Sequence, residues 1–227
     1  MTYSALFKVW ATVLAAILAA TVLYVTAFTT EAGAQEPPCS GKVVLDAGHG
    51  GTDSGAVNAK YGLTEKEQTL DVANRLRTLL TADGCTVYMT RTSNSQTLSN
   101  NDRYTYANSK GADVLVSVHM NGSTSPSTDY TTTLFGKWRK DKELANAVFG
   151  SLSTLPTAGG TGTIGTRTPY SFASGVLLKS NMPATMAETV FITSDREGQL
   201  LSNGTGTRQQ QIAQALRVGI EDYLATH

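Results

Sequence analysis

Histidine is scarce in this chain: three among 227 residues, and one of them, His227, is the last. Cysteine is scarcer, at two, and charge of either sign is in balance, with a formal net charge of zero. Zero balance gives no support for a nucleic-acid partner, which requires a basic patch or stripe. No Gly-x-Ser-x-Gly elbow and no Cys/His pairing offers a nucleophile. There is no internal repeat and no sign of a second large domain, and the length suits one domain with a sizeable core.

What is present centres on Val43-Val44-Leu45-Asp46-Ala47-Gly48-His49-Gly50-Gly51. Val43 to Leu45 reads as a short strand covered on both faces, since its apolar run is continuous rather than alternating. The glycines allow a sharp turn at its end. That turn presents His49 at the carboxyl edge of a sheet, where open α/β folds bind their ligands. Asp113 to Val118 repeats the design and ends in His119. If the sheet is parallel, both internal histidines lie side by side.

The amino-terminal segment differs from the rest. Val9 to Phe28 is almost wholly apolar, Lys8 precedes it, and Ala32-Gly33-Ala34 follows in a pattern that signal peptidase cuts. Residues 1–34 therefore read as a signal peptide or, because the run is near the ~20 residues that span a bilayer, as a membrane anchor. The cleavage site favours the first, and either makes the chain an exported one. Residues 35–41 are a linker, and 42–227 the functional domain. In an oxidising compartment Cys39 and Cys85 read first as a disulfide. Each lies just before a strand, so parallel neighbours would bring both sulfurs to the amino edge, away from His49.

Along the chain, Thr64 and Glu67 have capping-box spacing at the start of a helix running to about Ala82. A strand at Thr86–Met89, a helix start at Ser99, an edge strand at Tyr130–Phe135 and a helix over Lys140–Leu155 follow. Ala158 to Thr168 reads as a mobile loop near the site. Gly175–Leu178 and Pro183–Ile192 read as strands, and Thr207, with capping-box spacing to Gln210, opens the closing helix. Strands alternating with helices predict a single α/β layered domain with a central, mostly parallel twisted sheet flanked by helices.

Two histidines and one carboxylate can bind zinc and leave a position for water. Asp53, Glu65 and Glu67 are the nearest acids after His49, and Glu67 is expected to be occupied by the capping box. Local spacing leaves Glu65 divided between a metal-ligand role and that of a first-turn acid favoured by the helix dipole. Glu188 lies alone in an apolar strand. An ionised carboxylate there is costly unless paired, and burial raises its pKa, which suits a general base near neutral pH. The bland alternative is an ion pair with Arg91, Arg103 or Arg167. Asn121-Gly-Ser123 and Asn203-Gly-Thr205 match glycosylation sequons that chance often produces.

Taken together, Val43-x-Leu45-Asp46-x-Gly48-His49-Gly50-Gly51, Glu65-Lys66, Thr90-Arg91, Leu98 with Arg103 and Asn108, Ser117-x-His119-x-Asn121, and Pro183 with Glu188-x-x-Phe191-Ile192 resemble the zinc-dependent N-acetylmuramoyl-L-alanine amidases. The resemblance runs in order from about Lys42 to Leu224. It implies a phosphorylase/hydrolase-like fold, zinc ligation by His49, Glu65 and His119, and a catalytic Glu188. It further implies peptidoglycan as substrate, in the bacterial periplasm, cell wall or extracellular space. The expected reaction is hydrolysis of the amide joining the muramyl lactyl group to L-alanine. A zinc peptidase acting on stem peptides and a non-catalytic wall-peptide binder are the alternatives. The catalytic domain is expected to be monomeric, with anchoring through the amino-terminal segment if that segment is retained. Ala47, Thr69 and Val190 depart from the family pattern, which bears on loop shape and substrate fit. The chain also lacks the long helical insertion that occludes the site in some members, which implies a site open without an activator.

Overall fold

The computed structural model describes residues 39–157 and 160–227. The expected leader, 1–34, and residues 35–38 of the linker lie outside them. Six strands form the main sheet: β1 (Lys42–Ala47), β4 (Thr86–Met89), β5 (Val114–Asn121), β6 (Thr132–Phe135), β7 (Tyr170–Ser171) and β8 (Ala184–Phe191). Their order is β4-β1-β5-β8-β6-β7, parallel throughout except where β6 pairs antiparallel with β8. A small hairpin of β2 (Val57–Asn58) and β3 (Leu63–Thr64) stands apart from the sheet.

The apolar runs of β1 and β5 are buried because both faces of the sheet are covered. On one face α1 (Glu65–Ala82), α3 (Trp138–Leu152) and α6 (Thr207–Leu224) pack on Val43, Leu45, Val116 and Val118 through Leu76, Val148 and Leu216. On the other, α2 (Asn100–Ser109) and α4 (Gly175–Lys179) cover Val44, Leu115 and Met186 through Ala107 and Leu177. A short helix, α5 (Asp195–Ser202), follows β8. Among the described residues no helix is long and apolar enough to cross a membrane.

At the amino edge Cys39 and Cys85 are joined as a disulfide, Cα–Cα 5.0 Å, beside the Lys42–Thr86 rung of the β1–β4 pair. The closed loop of 46 residues corresponds to about 4 kcal/mol of lost denatured-state entropy.

Four expectations of local structure are corrected. Gly175–Leu178 is a helix, because a run of four or five apolar residues carries no period that separates helix from buried strand. β6 is not an edge: β7 pairs with it, and within the loop expected at Ala158–Thr168 isolated bridges join Thr166 to Thr131 and Thr163 to Pro156. The Thr64 hydroxyl donates to the Glu67 carboxylate at 2.7 Å rather than capping an amide. The first amides of α1, on Glu65 and Lys66, are instead taken by the carbonyls of Ala56 and Ser54. At α6 the cap is Gly206, in a left-handed conformation (φ 68), and Thr207 is already helical. A full capping box does form at Ser99 and Asp102.

Candidate functional site

β1 and β5 are parallel neighbours, with Ala47 opposite Val118, so their carboxyl ends coincide and carry His49 and His119 to one place. The first turn of α1 brings Glu65 over the same edge. His49 Nε2 and His119 Nδ1 each lie 3.0 Å from Glu65 Oε1, and one ligand atom from each of the three residues falls within 4.8 Å of the others. Glu65 is buried, yet both its oxygens are satisfied: Oε1 accepts from the Met120 amide and Oε2 from the Ala56 amide, each at 2.9 Å. Thus Glu65, which spacing left between a metal-ligand and a helix-dipole role, is turned inward and fixed.

Charge in this cluster is one-sided. Burial alone would raise Glu65, but the hydrogen bonds and charges of His119 and His49 outweigh it and hold the carboxyl well below its usual range. Burial works against a charged His49, yet Glu65, with Asp53 behind it, raises that imidazole to about 9. The site favours positive charge at the point where the three groups meet. That preference, and a donor set of two imidazoles and one carboxylate, fit a divalent cation of the zinc type.

The turn is shaped to allow this convergence. His49 has φ 61, the sole positive φ at a non-glycine position among the described residues. Such strain persists only where the surroundings over-determine it. A Cβ on Gly48 would sit 2.5 Å from the His119 ring, and one on Gly55 2.6 Å from Glu65 Oε2. Asp53 is not brought into the cluster: its Oδ2 lies 2.8 Å from His49 Nδ1, on the ring's far side, and its Oδ1 accepts from the Gly55 amide. It orients the imidazole, as carboxylates behind metal-ligating histidines do.

Glu188 stands on β8 directly opposite His119 on β5. Its Oε2 is buried without a hydrogen-bond partner among the described residues. Burial pushes its pKa up, the attraction of His119 opposes this, and the charge of Glu65 adds to it. The arginines considered as its partners are committed elsewhere. Arg103 pairs with Asp46 at 2.7 Å, Arg91 bonds the carbonyls of Ala47, Gly48 and Lys66, and Arg167 lies against Tyr130 and Tyr170. His49, Glu65, His119 and Glu188 line one cleft of about 390 Å³, with Phe172 at its rim. A larger groove of about 670 Å³ between α3 and α6 shares no residue with it and holds only one titratable group, Asp222.

Sequence reasoning missed the floor of this cleft. Asp46 is fully buried and accepts from Ser117 (2.6 Å), Thr90 (2.7 Å) and Arg103 (2.7 Å), joining β1, β5, the end of β4 and α2. The signal was available: Asp46 and Ser117 interrupt apolar strands just as Glu188 does. Thr69, a departure from the family pattern, donates to the Gly48 carbonyl at 2.9 Å and so bears on the histidine turn.

Residues 43–222 match the model of the family described as N-acetylmuramoyl-L-alanine amidase. The chain is 32% identical to the N-acetylmuramoyl-L-alanine amidase LytC of Bacillus subtilis over 83% of this chain, which spans 36% of that relative. It is 29% identical to the N-acetylmuramoyl-L-alanine amidase AmiA of Salmonella typhimurium over 80% of this chain and 75% of that one. The solved N-acetylmuramoyl-L-alanine amidase from Clostridium difficile 630 superposes with a TM-score of 0.73 at 30% identity, covering 82% of this chain and 98% of that one.

Proposed function

Because the chain belongs to the N-acetylmuramoyl-L-alanine amidase family, we propose that it hydrolyses the amide between the N-acetylmuramic acid lactyl group and L-alanine in peptidoglycan, as a zinc enzyme. One observation carries the reading: two imidazoles converge at 3.0 Å on one carboxylate oxygen, with a buried, unpartnered carboxylate beside them.

His49, Glu65 and His119 would hold the metal. When bound, zinc supplies a Lewis acid that polarises the scissile carbonyl and lowers the pKa of water. The remaining work falls to the chain itself. Asp53 keeps His49 Nε2 turned inward by engaging Nδ1. Glu188, its pKa raised by burial, takes a proton from the attacking water as the oxygen adds to the carbonyl carbon. It then gives that proton to the amide nitrogen as the C–N bond breaks, leaving a lactyl carboxylate and a free amino terminus.

Such a substrate lies outside the cytoplasm, so the proposal includes export to the periplasm, cell wall or extracellular space, with residues 1–34 as signal peptide or membrane anchor. The Cys39–Cys85 disulfide supports an oxidising compartment. The catalytic domain is proposed to act as a monomer.

Mass spectrometry of murein digested by the purified protein tests the reading. Free lactyl groups together with intact stem peptides are expected. Cleavage within the stem would instead identify a peptidase, and binding without turnover a wall-peptide module.

A further inference from the structure

Past Glu188 the sheet continues through β6 to β7, and one row of hydrogen bonds runs from β8 to the segment that leads into β7. Thr132 on β6 stands opposite Glu188, and the adjacent Thr131 reaches the Glu188 carbonyl through its hydroxyl at 3.4 Å. The Thr131 carbonyl in turn accepts from the Arg167 amide at 3.0 Å. Two strand spacings therefore separate Arg167 from Glu188, roughly 10 Å between backbones.

The Arg167 side chain is exposed, but its position is defined. Its guanidinium carbon lies 4.6 Å from the centroid of the Tyr170 ring, and Nη1 lies 3.4 Å from the Tyr130 hydroxyl. Tyr130 is itself fixed edge-to-face on Phe191, at 4.6 Å between centroids. Among the described residues no carboxylate forms an ion pair with Arg167. Tyr170 links this group to the site: burial pushes its phenol up, Arg167 opposes, and the Glu188 carboxylate adds to the rise, so Glu188 lies within electrostatic reach. A guanidinium positioned by two aromatic side chains, with no anion of its own, is suited to receive one in planar, bidentate fashion.

The direction of the departing peptide identifies that anion. Glu188 delivers its proton to the leaving nitrogen in the reading above, so the amine side of the scissile bond lies at Glu188, with β6 and then Arg167 next to it across the sheet. In a stem peptide whose second residue is joined through its side-chain carboxyl, the α-carboxyl remains free or is amidated. It lies within two residues of the scissile nitrogen, a reach of roughly 7 Å, which the flexible arginine side chain can meet.

We infer that Arg167 is a specificity residue that binds the free α-carboxylate of the second stem-peptide residue, and so selects stems bearing it over their amidated counterparts. The inference rests on the amidase reading above.

Its test uses two muramyl peptides that differ only in a carboxylate or a carboxamide at that position, with the intact protein and its Arg167→Gln and Arg167→Lys variants. The wild type is expected to favour the acid by about 5- to 20-fold in kcat/KM, mostly through KM. In Arg167→Gln the ratio falls to near one, and Arg167→Lys restores part of it. A wild type indifferent to the two peptides, or a ratio preserved in Arg167→Gln, overturns the assignment while leaving the amidase reading intact. Failure of the wild type to release lactyl groups from either peptide overturns both.

Discussion

Arg103 donates from Nη2 to the carbonyl oxygen of His49 across 2.8 Å, gripping from below the one non-glycine residue with a left-handed backbone among those described. The same guanidinium pairs with Asp46, and the neighbouring Arg91 bonds the carbonyls of Ala47 and Gly48. Three successive carbonyls of the histidine turn are thus held by two arginines, one of which, Arg103, is itself anchored on the buried Asp46 carboxylate. The geometry of His49 is a property of this floor as much as of the turn.

Truncating one partner of a buried pair strands the other. Arg103→Leu is expected to cost about 3–5 kcal/mol, measured by urea unfolding. Asp46→Asn added to it should recover part of the loss, because the two residues act as a unit. A double variant whose cost is the plain sum of the singles would show that they do not.

The two helix starts make a paired comparison. Ser99 accepts from the Asp102 amide, so Ser99→Ala removes a real cap and should cost about 1 kcal/mol. Thr64 caps no amide, and its exposed bond to Glu67 is worth little, so Thr64→Ala should cost under about 0.5 kcal/mol. Equal losses in thermal unfolding would contradict the assignment of α1's first amides to the Ala56 and Ser54 carbonyls.

A pH effect is expected away from the cleft. Burial, with the Glu197 carboxylate beside it, pushes Asp129 up to about 6. Glu197 is itself bound by Arg208 at 2.7 Å. A carboxyl whose pKa is higher folded than unfolded stabilises the fold while protonated. Its contribution is complete below about pH 4 and is lost as pH rises through about 6. Asp129→Asn should flatten that interval and, after allowance for partial exposure, gain about 1 kcal/mol at pH 7.5. An unchanged stability profile between pH 4 and 7 would sink this account.

What was legible in the sequence follows from how strongly each signal is localised. The strands of β1 and β5 and their terminal histidines could be read because a continuous apolar run ending in glycine and histidine has few other uses. Glu188 was readable because an acid inside such a run is costly. The orientation of Glu65 was not readable from spacing, since a first-turn acid suits the helix dipole whether or not it turns inward; the amides of Ala56 and Met120 hold it inward. The Asp46 floor went unread, because its three partners come from three separate elements. α5 also went unread, although Ser194 and Glu197 stand at capping-box spacing. Arg167 could not be located until β7 was known to pair with β6, since a Gly- and Thr-rich loop carries no register of its own.

The central claim is that three residues hold the metal and a fourth moves the proton. Metal content and lactyl release from murein, measured together on Glu188→Gln and Glu65→Gln, test it most directly. The account predicts that Glu188→Gln retains one zinc per chain and loses about 10²- to 10⁴-fold in turnover, whereas Glu65→Gln loses the metal and the activity together. Undiminished lactyl release by Glu188→Gln, or full zinc retention by Glu65→Gln, would contradict it.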